Sequence, residues 1–278
     1  MPRVTRFAAM EIRKFGKGLL SCALVAALAE LLLWSQPAAM PLLGLAEQAA
    51  SGNSLGKSSG KLRVTDHAVR QTKQHGRLAV DVNLNYPALG CAGIDADIHR
   101  WVTGIVGAFE ETLADALPDG DEDRTKEETQ SFALQGSYTV MQPSPSAVSL
   151  TFELWTYTGG THGDLDIITL NYSLLTGQRL ELVDLFDDPD EALRLMSSWS
   201  FQMLSRRLPF AGSWSLQMLK DGTNPDAQNF SSLTLTPEGI VIQFQPYQVA
   251  PWAAGAQAVE MPFEKLAAAG PLSVIWGK

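Results

Sequence analysis

Cysteine is almost missing from this 278-residue chain; Cys22 and Cys91 are the two. Cys22 lies in an N-terminal apolar run that reads as removable, so Cys91 is left without a partner and a disulfide framework is excluded. Stability must then come from core burial, and Cys91 reads as a small core residue rather than a reactive thiol. Histidine is scarce too, at 67, 75, 99 and 162, with no His-Glu-x-x-His pairing. That removes a common zinc layout. Gly-x-Ser-x-Gly occurs only at Gly52 to Gly60, inside the Ala-, Ser- and Gly-rich stretch that reads as a linker and not between a strand and a helix, so a nucleophilic hydrolase has no recognisable serine elbow.

Other apparent sites also fail. Asp119, Asp121 and Asp123 imitate the start of a calcium loop, but Gly120 is misplaced and Gln130 stands where a bidentate Glu is required. His162, Asp164 and Asp166 merely alternate along a loop and strand. Asp187, Asp188 and Asp190 are better explained by a helix start, and no acidic pair stands out for glycoside chemistry. No metal and no cofactor are expected.

The N-terminus has the layout of a secretory signal: Arg3, Arg6, Arg13, Lys14 and Lys17 precede an apolar stretch from Gly18 to Trp34, and small residues follow. An uncleaved anchor is the alternative, but Glu30 near mid-bilayer costs ~2.5 kcal/mol or more. Residues 1–46 are therefore expected to be a signal peptide and 47–61, rich in Ala, Ser and Gly, a flexible linker. The expected location is periplasmic or secreted, with no permanent membrane span after cleavage.

Setting residues 1–46 aside removes five basic and two acidic side chains, leaving 16 Lys and Arg against 28 Asp and Glu, a balance of about −12. An acidic chain argues against nucleic acid. It keeps an exported protein soluble and favours basic partners kinetically.

From Leu62 onward the patterning predicts an α+β fold: antiparallel β-sheets with amphipathic helices packed on one face. Residues 78–86 alternate as a strand, and Ile94, Ile98, Trp101, Ile105, Phe109, Leu113 and Leu117 form one helical stripe. Pro118 and Asp119-Gly120 end that helix, and the acidic run up to Glu128 reads as a loop. Hairpins are predicted from 132–140 with 148–157, from 165–172 with 178–182, and from 232–236 with 240–244. Asp188-Pro189 starts a helix to about Arg207. The segment after it is less regular; a strand at 258–261 and a short helix at 263–269 close the chain.

The block Trp155-Thr-Tyr-Thr-Gly-Gly-Thr-His-Gly-Asp164 stands out, because glycines so close together mark a backbone path that side chains would obstruct. It lacks the Lys and the strand-to-helix context of a phosphate loop. Its structural reading is a tight bulged connection. Its functional reading is a recognition rim built from Trp155, Tyr157, Gly159, Gly160, Thr161, His162, Gly163 and Asp164, joined by Tyr247 and Trp252 if the C-terminal loop lies alongside.

Tyr157 to Gly163, the Thr176-Gly177 turn, Leu182-Val-Asp-Leu-Phe186, residues 230–255 and Val259-Glu-Met-Pro-Phe263 together resemble the DUF3298 family. Val80 to Ile98, with Tyr86-Pro87, resembles the associated DUF4163 (PdaC-like) module. The division expected from this resemblance is a DUF4163-like module at 62–145 and a DUF3298-like module at 146–270, the two forming one compact unit. Relatives include the sensor domains of RsiV-like anti-sigma factors, which bind lysozyme, and modules attached to peptidoglycan deacetylases. The resemblance thus implies cell-envelope recognition rather than catalysis, with a basic lysozyme-like protein or a peptidoglycan-related ligand as partner. With no anti-sigma segment read before the apolar stretch and no deacetylase domain after the sensor-like part, neither sigma-factor signalling nor deacetylation is expected. The rival expectation is a peptidoglycan- or glycan-acting hydrolase around His162 with Asp164 or Asp166.

Overall fold

The computed structural model describes residues 62–75, 78–116, 130–208 and 213–277. The expected signal peptide, linker and acidic loop before Glu128 lie outside the described residues. Five strands form the larger sheet in the order β1 to β5: β1 Thr65–His75, β2 Leu78–Ala88, β3 Gln130–Ser144, β4 Ala147–Tyr157 and β5 Asp164–Ser173. Helix α1, Ala92–Ala116, follows β2. Its start is held by Asp95, whose carboxylate accepts the Leu89 N–H at 2.6 Å. The predicted stripe faces the sheet: Ile94, Ile98, Ile105 and Phe109 are buried with Leu84, Leu134, Phe152 and Leu154. Each such side chain contributes about 1.5–3 kcal/mol of burial.

The architecture is α+β and dominantly antiparallel, as the patterning predicts, but three details differ. Strand β1 is not among the predicted strands, and it pairs antiparallel with β2 along its whole length. β2 and β3 pair in parallel, with α1 carrying the chain back between them. The segment 178–182 is not a strand. Arg179 makes one bridge to Tyr172, and the chain then leaves the sheet through a 3-10 turn at Leu182–Asp184 so that Leu180, Leu185 and Phe186 enter a second core. The boundary expected between 145 and 146 falls at the turn between β3 and β4.

That second core lies under helix α2, Pro189–Arg207, helix α3, Ser213–Gly222, and a smaller antiparallel sheet of β6 Leu233–Thr236, β7 Gly239–Phe244 and β8 Gln257–Pro262. Short helices α4, Phe263–Leu266, and α5, Ser273–Trp276, close it. α2 begins as predicted, with the Asp188 carboxylate accepting the Glu191 N–H at 2.8 Å and Pro189 in the first turn. α3 falls in the segment whose patterning is less regular. Among the described residues, no helix is long and apolar enough to cross a membrane.

The two sheets meet along a polar seam. The Ser149 hydroxyl donates to Asn171 Oδ1 at 2.5 Å, and the Asn171 amide donates to the Leu233 carbonyl at 2.9 Å. The Leu235 N–H donates to Ser149 Oγ at 3.1 Å, and the Thr151 and Thr234 hydroxyls lie 2.7 Å apart. Side chains on the face of the larger sheet thus satisfy the unpaired backbone of β6. At the other edge, Trp199 Nε1 donates to the Glu260 carbonyl and Arg207 to the Ala258 carbonyl, so α2 covers β8. Edge strands left bare would template aggregation.

A charged knot ties α1 to β5. Asp97 Oδ2 accepts from the Tyr172 hydroxyl at 2.9 Å and from Arg179 Nη2 at 2.7 Å, while Oδ1 accepts from Arg100 at 2.8 Å. Tyr172 is fully buried, and burial pushes its hydroxyl well above the usual tyrosine range. Asp97→Ala leaves Arg179 largely buried without its carboxylate. A loss of about 2 kcal/mol in chemical denaturation is expected, below the cost of breaking a fully buried pair because both partners keep some solvent contact. Tyr172→Phe, which keeps the ion pair, is expected to lose only about 1 kcal/mol.

Candidate functional site

The loop between β4 and β5 begins and ends on aromatic residues. Along β4, Glu153, Trp155 and Tyr157 share one face, and the Trp155 and Tyr157 rings stack with centroids 5.9 Å apart and planes 10° apart. The Tyr157 hydroxyl donates to the Gly160 carbonyl at 3.0 Å, folding the loop back on its strand. Gly159 and Gly160 take φ of +92° and +103°, backbone that only glycine adopts readily, and both are exposed, as is Thr161. Gly163 serves differently: a Cβ there would lie 2.6 Å from Trp155 Nε1, so the indole packs directly on the backbone.

The C-terminal loop does lie alongside. The His162 ring stacks on Trp252 at 4.6 Å and 16°, and Trp252 also meets Tyr247 at 5.7 Å. His162 Nδ1 sits 3.0 Å from the Gly163 carbonyl. Adjacent residues therefore join the two stacks, with Gly163 under Trp155 and His162 against Trp252. Tyr247 is 54% exposed and is the one described non-glycine residue with positive φ, at +67°. Strain of that kind costs about 1–3 kcal/mol and collects at ligand clamps.

Two glutamines position this loop. Gln245 reads Ile167 on β5 like a neighbouring strand, accepting its N–H at 2.7 Å and donating to its carbonyl at 2.5 Å. Gln248 accepts the Gln245 N–H at 3.0 Å and donates to the carbonyls of Gly222 and Asn229 at 3.1 and 3.0 Å. Neither stands out in the sequence, since a glutamine in a loop carries no signal of the distant backbone it will bond.

Asp164 and Asp166 lie elsewhere. Register pairs them with Thr156 and Leu154, on the face of β5 that carries Tyr172 toward α1. Asp166 is buried, and burial, with the charge of Asp164 adding, pushes its carboxyl up to about 6. No hydrogen bond or ion pair joins His162 to either carboxylate, and no group of three or more metal-ligating His, Cys, Asp or Glu occurs among the described residues. Of the ten residues expected at the rim, the structure gathers Trp155, Tyr157, His162, Gly163, Tyr247 and Trp252. Gly159, Gly160 and Thr161 form the exposed turn between them, and Asp164 faces away.

Comparison with known proteins agrees with this architecture. The chain is 26% identical over 176 residues, 63% of its length, to the peptidoglycan-N-acetylmuramic acid deacetylase PdaC of Bacillus subtilis (strain 168), and the match spans 36% of that relative's length. A DUF3298 family protein from Pseudomonas aeruginosa PAO1 superposes with a TM-score of 0.59 at 15% identity, covering 79% of this chain and 99% of that one. A DUF3298 member from Bacteroides fragilis NCTC 9343 gives 0.54 at 17% identity, covering 80% and 98%. At those identities the likeness is one of fold. The model of the DUF3298 family of proteins of unknown function matches residues 183–264, the segment of α2, α3 and the smaller sheet that supplies Tyr247 and Trp252 but not His162. Residues 183–264 thus match the DUF3298 family model, within a fold similar to that of solved DUF3298 proteins.

Proposed function

We propose that this chain is an exported, non-enzymatic recognition module of the cell envelope, and that its ligand docks on the aromatic rim. The observation that carries the reading is the stack of His162 on Trp252, which brings two distant segments together as one preformed surface. Interfaces draw their energy from a few rigid aromatic anchors inside a polar border. The PdaC relative, named for peptidoglycan, supports an envelope setting, and the sequence resemblance to RsiV-like sensor domains supports a lysozyme-like partner. The separation of His162 from Asp164 and Asp166 favours recognition over hydrolysis, because a general base needs its partners within hydrogen-bond reach.

Titration with lysozyme at low and moderate salt tests the protein-ligand version. Binding is expected at low ionic strength and should weaken as salt screens the acidic chain. His162→Ala should reduce affinity by roughly tenfold. Absence of binding even at low salt removes the lysozyme version.

A further inference from the structure

The recognition reading leaves the chemistry of the ligand open, and the composition of the rim narrows it. The two segments that build the rim, residues 127–178 and 221–264, contain neither Lys nor Arg, and His162 is their single basic side chain. A phosphate, a carboxylated peptide or an anionic lipid would find no lysine or arginine on them to pair with. Glu153 and Gln135, paired by register with Ser137 and Trp155 on the open face of the sheet, add one carboxylate and one amide. What the rim offers is flat ring surface with hydrogen-bonding groups beside it.

The rings are held before any ligand arrives. Gln245 and Gln248 use their amides to fix the loop, Gly163 backs Trp155, and Tyr247 keeps a left-handed backbone that glycine would occupy with less strain. Tyr247 meets Trp252 with ring centroids 5.7 Å apart, yet the residue remains 54% exposed. Rigid aromatic surface displayed in this way marks a binding site.

Resting on the recognition reading above, we infer that the rim of Tyr247, Trp252, His162, Trp155 and Tyr157 binds a neutral oligosaccharide. Pyranose rings with equatorial substituents present a face of C–H groups. That face packs on aromatic rings, while the hydroxyls and amides at the sugar's edge bond to groups such as Glu153 and Gln135. Such a ligand needs no counter-charge and loses little to salt.

Tryptophan fluorescence titration with chitohexaose, a neutral N-acetylated oligosaccharide, tests this, with lysozyme titrated in parallel and Tyr247→Gly as the variant. The expected result is a saturable response to chitohexaose that is the same at low and high salt and roughly tenfold or more weaker in Tyr247→Gly. That variant should melt at or above the temperature of the parent, because glycine relieves the positive φ. A lower melting temperature would make the ring a structural element and overturn the inference. So would a chitohexaose response unchanged by the substitution. A salt-sensitive lysozyme response that Tyr247→Gly weakens, without any response to chitohexaose, overturns the saccharide and keeps the recognition rim. No response to either ligand overturns both.

Discussion

Gly222→Ala is expected to destabilise the protein by about 3 kcal/mol and to disorder the rim. In an ordinary helix the same change is favourable by about 1 kcal/mol, because alanine loses less backbone entropy. Here packing decides the sign. Gly222 ends α3, and a Cβ on it would be driven into the Gln248 carbonyl and to 2.9 Å from Val249 Cγ1. Backbone cannot swing aside as a flexible side chain can, so Gln248 must move, and with it the bonds that place Tyr247. Gly107→Ala is the control: Gly107 lies in α1, and a methyl added there would meet no atom within 4 Å, so a gain of about 1 kcal/mol is expected. Denaturant midpoints of the two variants should therefore move in opposite directions. If both rise, the close packing of α3 on the 245–250 loop is not what holds it.

Asp166→Asn is expected to stabilise the protein by about 2 kcal/mol at pH 7 and to flatten its stability between pH 4 and 6. The sign follows from linkage. The folded-state carboxyl titrates near 6, above its ordinary value, so between pH 4 and 6 the folded chain binds the proton more firmly than the unfolded chain. Stability contributed by this group is fully present at low pH and is lost as pH rises through 6. Keeping the charge buried at neutral pH costs roughly 3 kcal/mol, and the amide recovers most of that. The measurement is the denaturant midpoint as a function of pH for parent and variant. Parallel profiles would mean that Asp166 is solvated in the folded state.

Much of this structure was legible from pattern alone. The α1 stripe, the Asp188 cap and the β6–β7 turn are local, and local chemistry determines them. Strand β1 escaped because Thr65 to His75 carries no alternating large apolar side chains; pairing with β2 along one edge makes it a strand. The parallel contact of β2 with β3 escaped because it is made across the whole of α1. At the rim, sequence could name the rings but not their meeting. His162 and Trp252 are brought together by Gln245 reaching from the second half of the chain to Ile167, a bond no spacing announces.

The seam between the sheets has a consequence for how the molecule opens. Its hydrogen bonds join hydroxyls and amides, with Ala147 of β4 reaching into the second core beside them, and water can replace each of those hydrogen bonds. The two apolar cores on either side have no such substitute. Partial opening should therefore begin by hydrating the seam, with each half still packed about its own core, and the first property lost would be the alignment of His162 with Trp252.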